Sequence, residues 1–290
     1  MVGNPILAAV DGSASSYHAV AWAAVEATRH RSPLHILTSM AIPTGFGPGM
    51  SLGEADLELL RGDGERILDE ATRVARTAAP AAEPGITSEV TFESIIPTLI
   101  ERSQHTRMLV VGSRGLGAFQ RGLLGSVSTA TTQHARCPVA VIHGTAAIDA
   151  VWATKPILVG VDGTDNSALA IELAFEEASL RGVGVVALHA WSDVTGLDLP
   201  IGDWADLHRQ EQVVLAESLA GYSDKYPDVP VHRIVVVDRP VRSLLEESAN
   251  AQLVVVGSHG RGGFASMILG STSNALLHSV EIPLIIVRSK

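Results

Sequence analysis

The sequence predicts an α/β protein made of two tandem doubly wound, open, parallel five-stranded sheets with helices on both faces. Three observations support this fold class. The chain has 290 residues, about twice an ordinary domain, and its first half is repeated in its second half. Within each half, short apolar runs alternate with longer amphipathic segments. This alternation is typical of parallel strands joined by crossover helices.

The repeat is clearest in two places. Residues 5–13 match residues 156–164, and the residues around Gly112 match those around Gly257. A repeat of this length is a whole domain rather than a solenoid unit, so it indicates a tandem duplication. We expect domains at 1–144 and 156–290, joined by a linker at 145–155.

Each half is expected to contain five strands separated by helices. Predicted strands are short runs rich in Val, Ile and Leu, bounded by Gly, Pro or polar residues. They fall at 5–10, 33–39, 86–92, 108–112 and 138–142 in the first half and at 156–161, 183–190, 230–237, 252–257 and 283–288 in the second. Apolar positions at helical spacing predict helices over 15–30 and 53–78. Right-handed crossovers then place a ligand crevice beyond the C-terminal ends of the strands.

Composition excludes several function classes. The net charge of −10 disfavours nucleic acid as a partner, and the chain has three lysines. The single cysteine, Cys137, excludes an intrachain disulfide framework, and its place before Pro138 favours a packed, inert thiol. The eleven histidines show no zinc-ligand spacing. No signal peptide or membrane span is recognisable, and we expect a cytoplasmic protein.

A glycine-rich element follows the fourth strand of each half. In the first half Gly112-Ser113-Arg114-Gly115 is separated by nine residues from Gly125-Ser126-Val127-Ser128, which opens a helix. The second half repeats the spacing with Gly257-Ser258-His259-Gly260 and Gly270-Ser271-Thr272-Ser273. Glycines bring main-chain amides close to a ligand, and a helix N-terminus favours an anion, so a phosphate chain would fit. Turn formation and helix capping are the alternative explanation.

Neither standard nucleotide motif is present. A Walker loop needs a lysine after its second glycine, and the chain contains no Gly-Lys pair. The dinucleotide fingerprint fails because Gln120 stands where a glycine or alanine is required.

An acidic turn follows the first strand of each half, as Asp11-Gly12-Ser13 and Asp162-Gly163-Thr164. First and fourth strands can be neighbours in a parallel sheet, so the carboxylate would face the glycine-rich element. It could accept from a ribose hydroxyl or help to hold a divalent cation. An Asx turn or N-cap is the structural alternative, and both roles are compatible.

These aspartates, the Gly-x-x-Gly-x9-Gly-Ser elements and the closing strands Pro-Val-Ala-Val-Ile and Pro-Leu-Ile-Ile-Val resemble the universal stress protein family, ATP-binding type. The resemblance covers essentially the whole chain. It implies a Rossmann-like fold of the adenine nucleotide α-hydrolase type. It also implies that main chain at Ser39 and Ala190 holds adenine. Ribose and phosphates would be held by Asp11 or Asp162 and the glycine-serine elements, in which Arg114 and His259 occupy a variable position.

The leading functional hypothesis is a non-enzymatic regulator with one ATP site per copy, because the elements offer amides and hydroxyls with only Arg114, Arg121 or Arg261 as nearby cations. The resemblance implies a setting of stress adaptation, growth arrest or dormancy. A slow ATPase or nucleotidyl-transfer enzyme, and cyclic AMP as the ligand, are alternatives. Bound Mg²⁺ would accompany ATP.

Two further expectations concern surfaces. The loops 43–50 and 192–203 are long enough to be lids or partner surfaces, and Trp191 and Trp204 flank the second of them. The closing strands 139–142 and 284–287 are apolar and predicted at sheet edges, which proteins seldom leave exposed. We therefore expect the two copies to pack through these strands and two chains to form a homodimer.

Overall fold

The computed structural model describes residues 3–41, 53–80, 85–115, 124–144, 152–191, 204–237, 239–260 and 269–288. The chain divides into two compact units, residues 1–144 and 145–290. The predicted loops 43–50 and 192–203, residues Gln120, Arg121 and Arg261, and residues 145–151 of the predicted linker lie outside the described residues. Residues Trp152–Thr154 of that linker form one turn of 3₁₀ helix. No described helix is both long and apolar enough to span a membrane.

The first unit is an open parallel sheet in the order β3-β2-β1-β4-β5. Its strands are β1 (Ile6–Ala9), β2 (Leu34–Ser39), β3 (Ile86–Thr91), β4 (Met108–Gly112) and β5 (Val139–Ile142). Its helices are α1 (Ala14–Arg29), α2 (Glu54–Ala78), α3 (Ile95–Arg102) and α4 (Ser126–His134). The parallel, five-stranded fold class predicted from the sequence is confirmed.

Burial explains the apolar strand runs. Every residue of β1 and β5 is buried. For β1, the central strand, this follows because helices cover both faces of a parallel sheet. Helices α1 and α2 pack against each other, as do α3 and α4. Strands are added in one direction up to β3, and the next strand, β4, is then added on the other side of β1. Right-handed crossovers put the two helix pairs on opposite faces of the sheet. The C-terminal ends of β1 and β4 therefore meet at the switch point.

The second unit repeats this order as β8-β7-β6-β9-β10. Its strands are β6 (Ile157–Gly160), β7 (Val185–Trp191), β8 (Val231–Val237), β9 (Leu253–Gly257) and β10 (Leu284–Val287). Its helices are α5 (Asp165–Arg181), α6 (Trp204–Ser218), α7 (Tyr222–Lys225), α8 (Pro240–Ser248) and α9 (Ser271–Ser279).

Most predicted strand ends lie within one residue of the observed ends, and two details of the second unit differ more. The strand predicted at 183–190 begins at Val185, because Gly182, with φ of 66°, ends α5 and the Val183 amide donates to Ala178 O at 3.0 Å. Helix α7 is a single additional turn after α6. Its Tyr222 ring stacks on buried Phe175, with the ring centroids 5.0 Å apart.

Candidate nucleotide-binding site

The turn after β1 fixes the Asp11 carboxylate at the C-terminal end of the sheet. Ser13 donates to Asp11 Oδ1 from its amide at 3.0 Å and from its hydroxyl at 2.6 Å. The same hydroxyl accepts from the Ser16 amide at 3.2 Å, so Ser13 is also the N-cap of α1. Gly12 has φ of 86°, a left-handed conformation that strains any side chain. Asp11 therefore forms an Asx turn, in which its Oδ1 is the acceptor.

The first glycine loop, residues 112–115, lies directly beside this turn. A Cβ added at Gly112 would lie 2.7 Å from Ser15 Oγ, so glycine allows the start of α1 to approach the end of β4. A Cβ added at Gly115 would overlap Asp11 Oδ2. The sheet topology thus brings the acidic turn and the glycine loop into contact, and glycine at position 115 leaves room for Asp11 Oδ2.

Helix α4 begins at the other side of the glycine loop. The Gly125 amide donates to Ser113 O at 2.9 Å, and the Ser128 hydroxyl donates to Gly125 O at 3.1 Å. Gly125 is the N-cap, and within the described residues no side chain caps the helix. The first-turn amides consequently carry the positive end of the helix dipole without a side-chain acceptor, which favours a bound anion.

These elements border a cleft of about 1110 Å³ in the first unit. One wall is polar and contains Asp11, the glycine loop and the first turn of α4. The apolar part of the lining, called the apolar wall below, includes Val10, Ala41 and the first turn of α3 at Ile95–Pro97. A pocket with one apolar wall and a few convergent polar groups suits a ligand that combines an aromatic ring with an anionic tail.

The end of the second strand differs between the units. Ser39 ends β2 and lines the cleft. Its hydroxyl donates to Glu93 O at 2.7 Å and accepts from the Ala41 amide at 3.1 Å, which ties the strand end to the chain preceding α3. Ala190, the corresponding residue, is paired with Val236 one residue before β7 ends. The structure therefore puts Ser39, but not Ala190, at a strand end.

The second unit repeats the acidic turn and the glycine loop, here residues 257–260. Thr164 donates to Asp162 Oδ1 from its amide at 2.9 Å and its hydroxyl at 2.8 Å, and Gly163 has φ of 75°. A Cβ at Gly260 would lie 3.1 Å from Asp162 Oδ2. Asp162 and its glycine loop are therefore adjacent, as their counterparts are in the first unit.

Helix α9 also begins like its counterpart. The Gly270 amide donates to Ser258 O at 2.7 Å, and Ser273 donates to Gly257 O at 2.6 Å. Gly270 is an N-cap with no side-chain cap within the described residues. The positions of Ser271 and Thr272 thus match those of Ser126 and Val127.

The two sites differ most at the variable position of the loop. Arg114 is exposed and lines the first cleft, so its charge can reach an anion there. His259 is half-buried, and its Nδ1 lies 2.9 Å from Ser258 Oγ. Near the first site, burial and the negative charges of Glu70 and Asp11 raise the pKa of Tyr17, which keeps its phenol neutral.

The apolar wall was not predicted from the sequence. Ile95, Ile96 and Pro97 belong to a helix whose apolar residues look like ordinary core positions. The available signal was their place at the N-terminus of α3, which starts at the same edge of the sheet as the acidic turn. Cys137 is buried, as expected, and burial raises its pKa to about 12.

Comparison with known proteins agrees with this architecture. A model of the universal stress protein family matches residues 4–143 and again residues 153–288. The crystal structure of a universal stress protein from Archaeoglobus fulgidus has the same fold, with a TM-score of 0.67 and 22% identity over 99% of both chains.

Curated mycobacterial proteins are more similar in sequence. Universal stress protein Rv2005c of Mycobacterium tuberculosis is 44% identical over 284 residues, covering 98% of this chain and 96% of that protein. A universal stress protein of Mycolicibacterium smegmatis is 43% identical over 293 residues, covering 98% and 97% respectively. With two matches to the family model and relatives aligned over nearly their full length, the chain belongs to the universal stress protein family and carries two tandem copies of its domain.

Proposed function

We propose that this protein is an ATP-binding regulator of stress adaptation or growth arrest, with one adenine-nucleotide site in each domain. The observation that carries the proposal is the first cleft, which joins an apolar wall to an uncapped helix N-terminus and a carboxylate. The second domain repeats the carboxylate, the glycine loop and the uncapped helix.

The lining residues suit the parts of a nucleotide. The wall at Ile95–Pro97 and the main chain near Ser39 would hold the adenine ring. Asp11 would accept from a ribose hydroxyl through Oδ2, the carboxylate oxygen that lies beside Gly115. The amides at the start of α4 and the charge of Arg114 would hold the phosphates, with Mg²⁺ neutralising the remaining charge.

Binding without rapid turnover fits these residues. Phosphoryl transfer needs a positioned nucleophile and cationic charge on the transferred group. Among the described lining residues of the cleft, Arg114 is the one basic side chain, and it is exposed. Bound nucleotide would then act by favouring one conformation over another through differential affinity. A partner protein would recognise that conformation.

The test is the nucleotide content of freshly purified protein. We would denature it, separate the supernatant by ion-pair chromatography and quantify adenine nucleotide per chain. The proposal expects about one to two ATP per chain, depending on whether one or both sites keep their nucleotide during purification. The Asp11→Ala plus Asp162→Ala double variant should contain none. Empty protein that also binds no ATP in equilibrium dialysis with Mg²⁺ would overturn it.

Glycine variants localise the binding. Gly115→Ala should abolish binding in the first domain, because its Cβ would overlap Asp11 Oδ2, whereas Gly260→Ala, with 3.1 Å of clearance, should weaken the second site less. Competition with cyclic AMP compares the two ligands. ADP release above background that is lost in Gly270→Ala would favour the slow ATPase instead.

The chain is also proposed to form a homodimer, as the apolar closing strands suggested. Sedimentation velocity across a range of concentrations tests this. A single species at the monomer mass would exclude it.

A further inference from the structure

A buried histidine bridges two elements of the second domain next to the Asp162 turn. His189 lies in β7, and its side chain is fully buried at 0% exposure. Nδ1 lies 2.6 Å from the carbonyl oxygen of Val161, and Nε2 lies 2.7 Å from Glu211 Oε2 in α6. Both ring nitrogens thus face oxygen atoms on different elements.

The identity of those oxygens determines where protons must be. A carbonyl oxygen only accepts, so Nδ1 carries a proton that it donates to Val161. The second hydrogen bond needs another proton, shared between Nε2 and the Glu211 carboxylate. When it lies on Nε2, the contact is an imidazolium–carboxylate pair, and hydrogen bonds to charged groups are stronger than neutral ones. His189 therefore joins α6 to the end of β6 through two satisfied hydrogen bonds.

The hydrogen bond to the Val161 carbonyl affects the acidic turn, because the same peptide group includes the Asp162 amide. The Val161 carbonyl and the Asp162 amide belong to one planar group, so fixing the carbonyl fixes the start of the acidic turn. The Val161 amide is held as well, donating to Leu188 O at 2.9 Å. Asp162 is thus oriented from the main-chain side by β7, and from the side-chain side by Thr164.

The first domain lacks this bridge. Thr38 occupies the position of His189, and its hydroxyl oxygen is buried without a hydrogen bond within the described chain. The Asp11 amide instead donates to Ser16 Oγ at 3.3 Å, a contact inside the turn and its helix. The first acidic turn is therefore held locally, whereas the second is tied to a distant helix.

We propose that His189 is a positioning residue that couples the docking of α6, through Glu211, to the orientation of Asp162. This inference rests on the proposed nucleotide site. It makes nucleotide affinity in the second domain dependent on α6, while affinity in the first domain has no such dependence. A partner or modification that released α6 would lower the affinity of one site only.

The test measures each site separately in the full-length chain. ATP dissociation constants are determined in the Asp11→Ala background for the second site and in the Asp162→Ala background for the first. His189→Thr, which installs the residue of the first domain, should weaken the second site about five- to tenfold, roughly the effect of one or two net hydrogen bonds. It should leave the first site unchanged.

Two variants of Glu211 separate positioning from a general structural effect. Glu211→Ala should weaken the second site like His189→Thr. Glu211→Gln should restore it, because a carboxamide N–H can donate to a neutral Nε2 while Nδ1 keeps its proton on Val161. The downfield Nδ1 proton resonance of His189 should accordingly persist in Glu211→Gln. Thr38→Ala is the matched control and should leave both sites unchanged.

The outcomes are distinguishable from failure of the proposed function. If ATP binds the second site and His189→Thr leaves its dissociation constant unchanged, the coupling is refuted. If neither site binds ATP, the proposed function fails, and hydrogen exchange decides the coupling. The coupling is supported if His189→Thr and Glu211→Ala exchange faster than the parent in both α6 and residues 162–164, while Glu211→Gln exchanges at the parent's rate. Unchanged exchange in residues 162–164 overturns it.

Discussion

Helix α2 offers a stability prediction with an internal control, because it contains two glycines in different surroundings. A Cβ added at Gly64 would lie 2.8 Å from Val90 Cγ1 and 3.2 Å from Met40 Cγ. A Cβ added at Gly62 would have no atom within 4 Å among the described residues. Gly64 is therefore the point at which α2 closely approaches β3, and Gly62 faces open space.

The magnitudes follow from these distances. Replacing glycine by alanine inside a helix stabilises it by roughly 0.8–1 kcal/mol. Gly62→Ala should gain this amount. At Gly64 the same gain is opposed by overpacking, which typically costs about 1–3 kcal/mol. Gly64→Ala should therefore be neutral to about 2 kcal/mol less stable than the parent, and about 1–3 kcal/mol less stable than Gly62→Ala.

The measurement must report on the first domain alone, because a two-domain chain need not unfold in one transition. Pulsed hydrogen exchange along a urea series, read on peptides from α2, gives that domain's free energy of unfolding. Combining Gly64→Ala with Val90→Ala should recover part of the loss, since the smaller side chain removes the close contact. Equal stabilisation by Gly62→Ala and Gly64→Ala would refute the close approach of α2 to β3.

Two further predictions concern titratable groups. Cys137, whose pKa burial raises to about 12, should resist alkylation at pH 8 until the protein is unfolded; rapid labelling of the native protein would contradict its burial. The pKa of Glu89 is lowered, first by hydrogen bonds from Arg102. The ionised form of Glu89 therefore stabilises the fold when the pH is above the pKa of this residue in the unfolded chain. This stabilisation is lost as the pH falls through the pKa of Glu89 in the folded protein. Glu89→Gln should lower the thermal midpoint at pH 7 and match the parent in acid, as calorimetry across pH 3–7 would show.

The strands were predictable because burial on both faces requires continuous apolar runs, and Gly, Pro and polar residues bound them. Observed strand boundaries differ from the predicted ones where the flanking residues belong to a neighbouring helix. Gly182, for example, ends α5, and β7 therefore starts only after it. Helix α7 was not predicted, because a single turn carries too few positions for a periodic pattern.

The candidate site was predictable where it depends on topology. Parallel first and fourth strands had to bring Asp11 to Gly115, and the structure puts them in contact. The apolar wall and His189 were missed, since apolar helix positions and a histidine among apolar strand residues both look like ordinary core. Comparing the two halves position by position would have exposed His189 against Thr38.

The duplication also separates glycines that the fold requires from a pair that it does not require. Gly12 and Gly163 recur because both turns have positive φ. Gly112 and Gly257 recur because a helix start crowds each strand end.

Gly115 and Gly260 do not have positive φ, and the atom that crowds a Cβ at either position is the aspartate oxygen Oδ2. A side chain there would cover the carboxylate rather than disturb the packing of a helix. Glycine at both positions leaves room for Oδ2 to lie directly beside the glycine loop at the edge of the sheet. Neither turn geometry nor helix packing requires glycine at these two positions, so this pair is the sequence feature that most directly favours the proposed binding function.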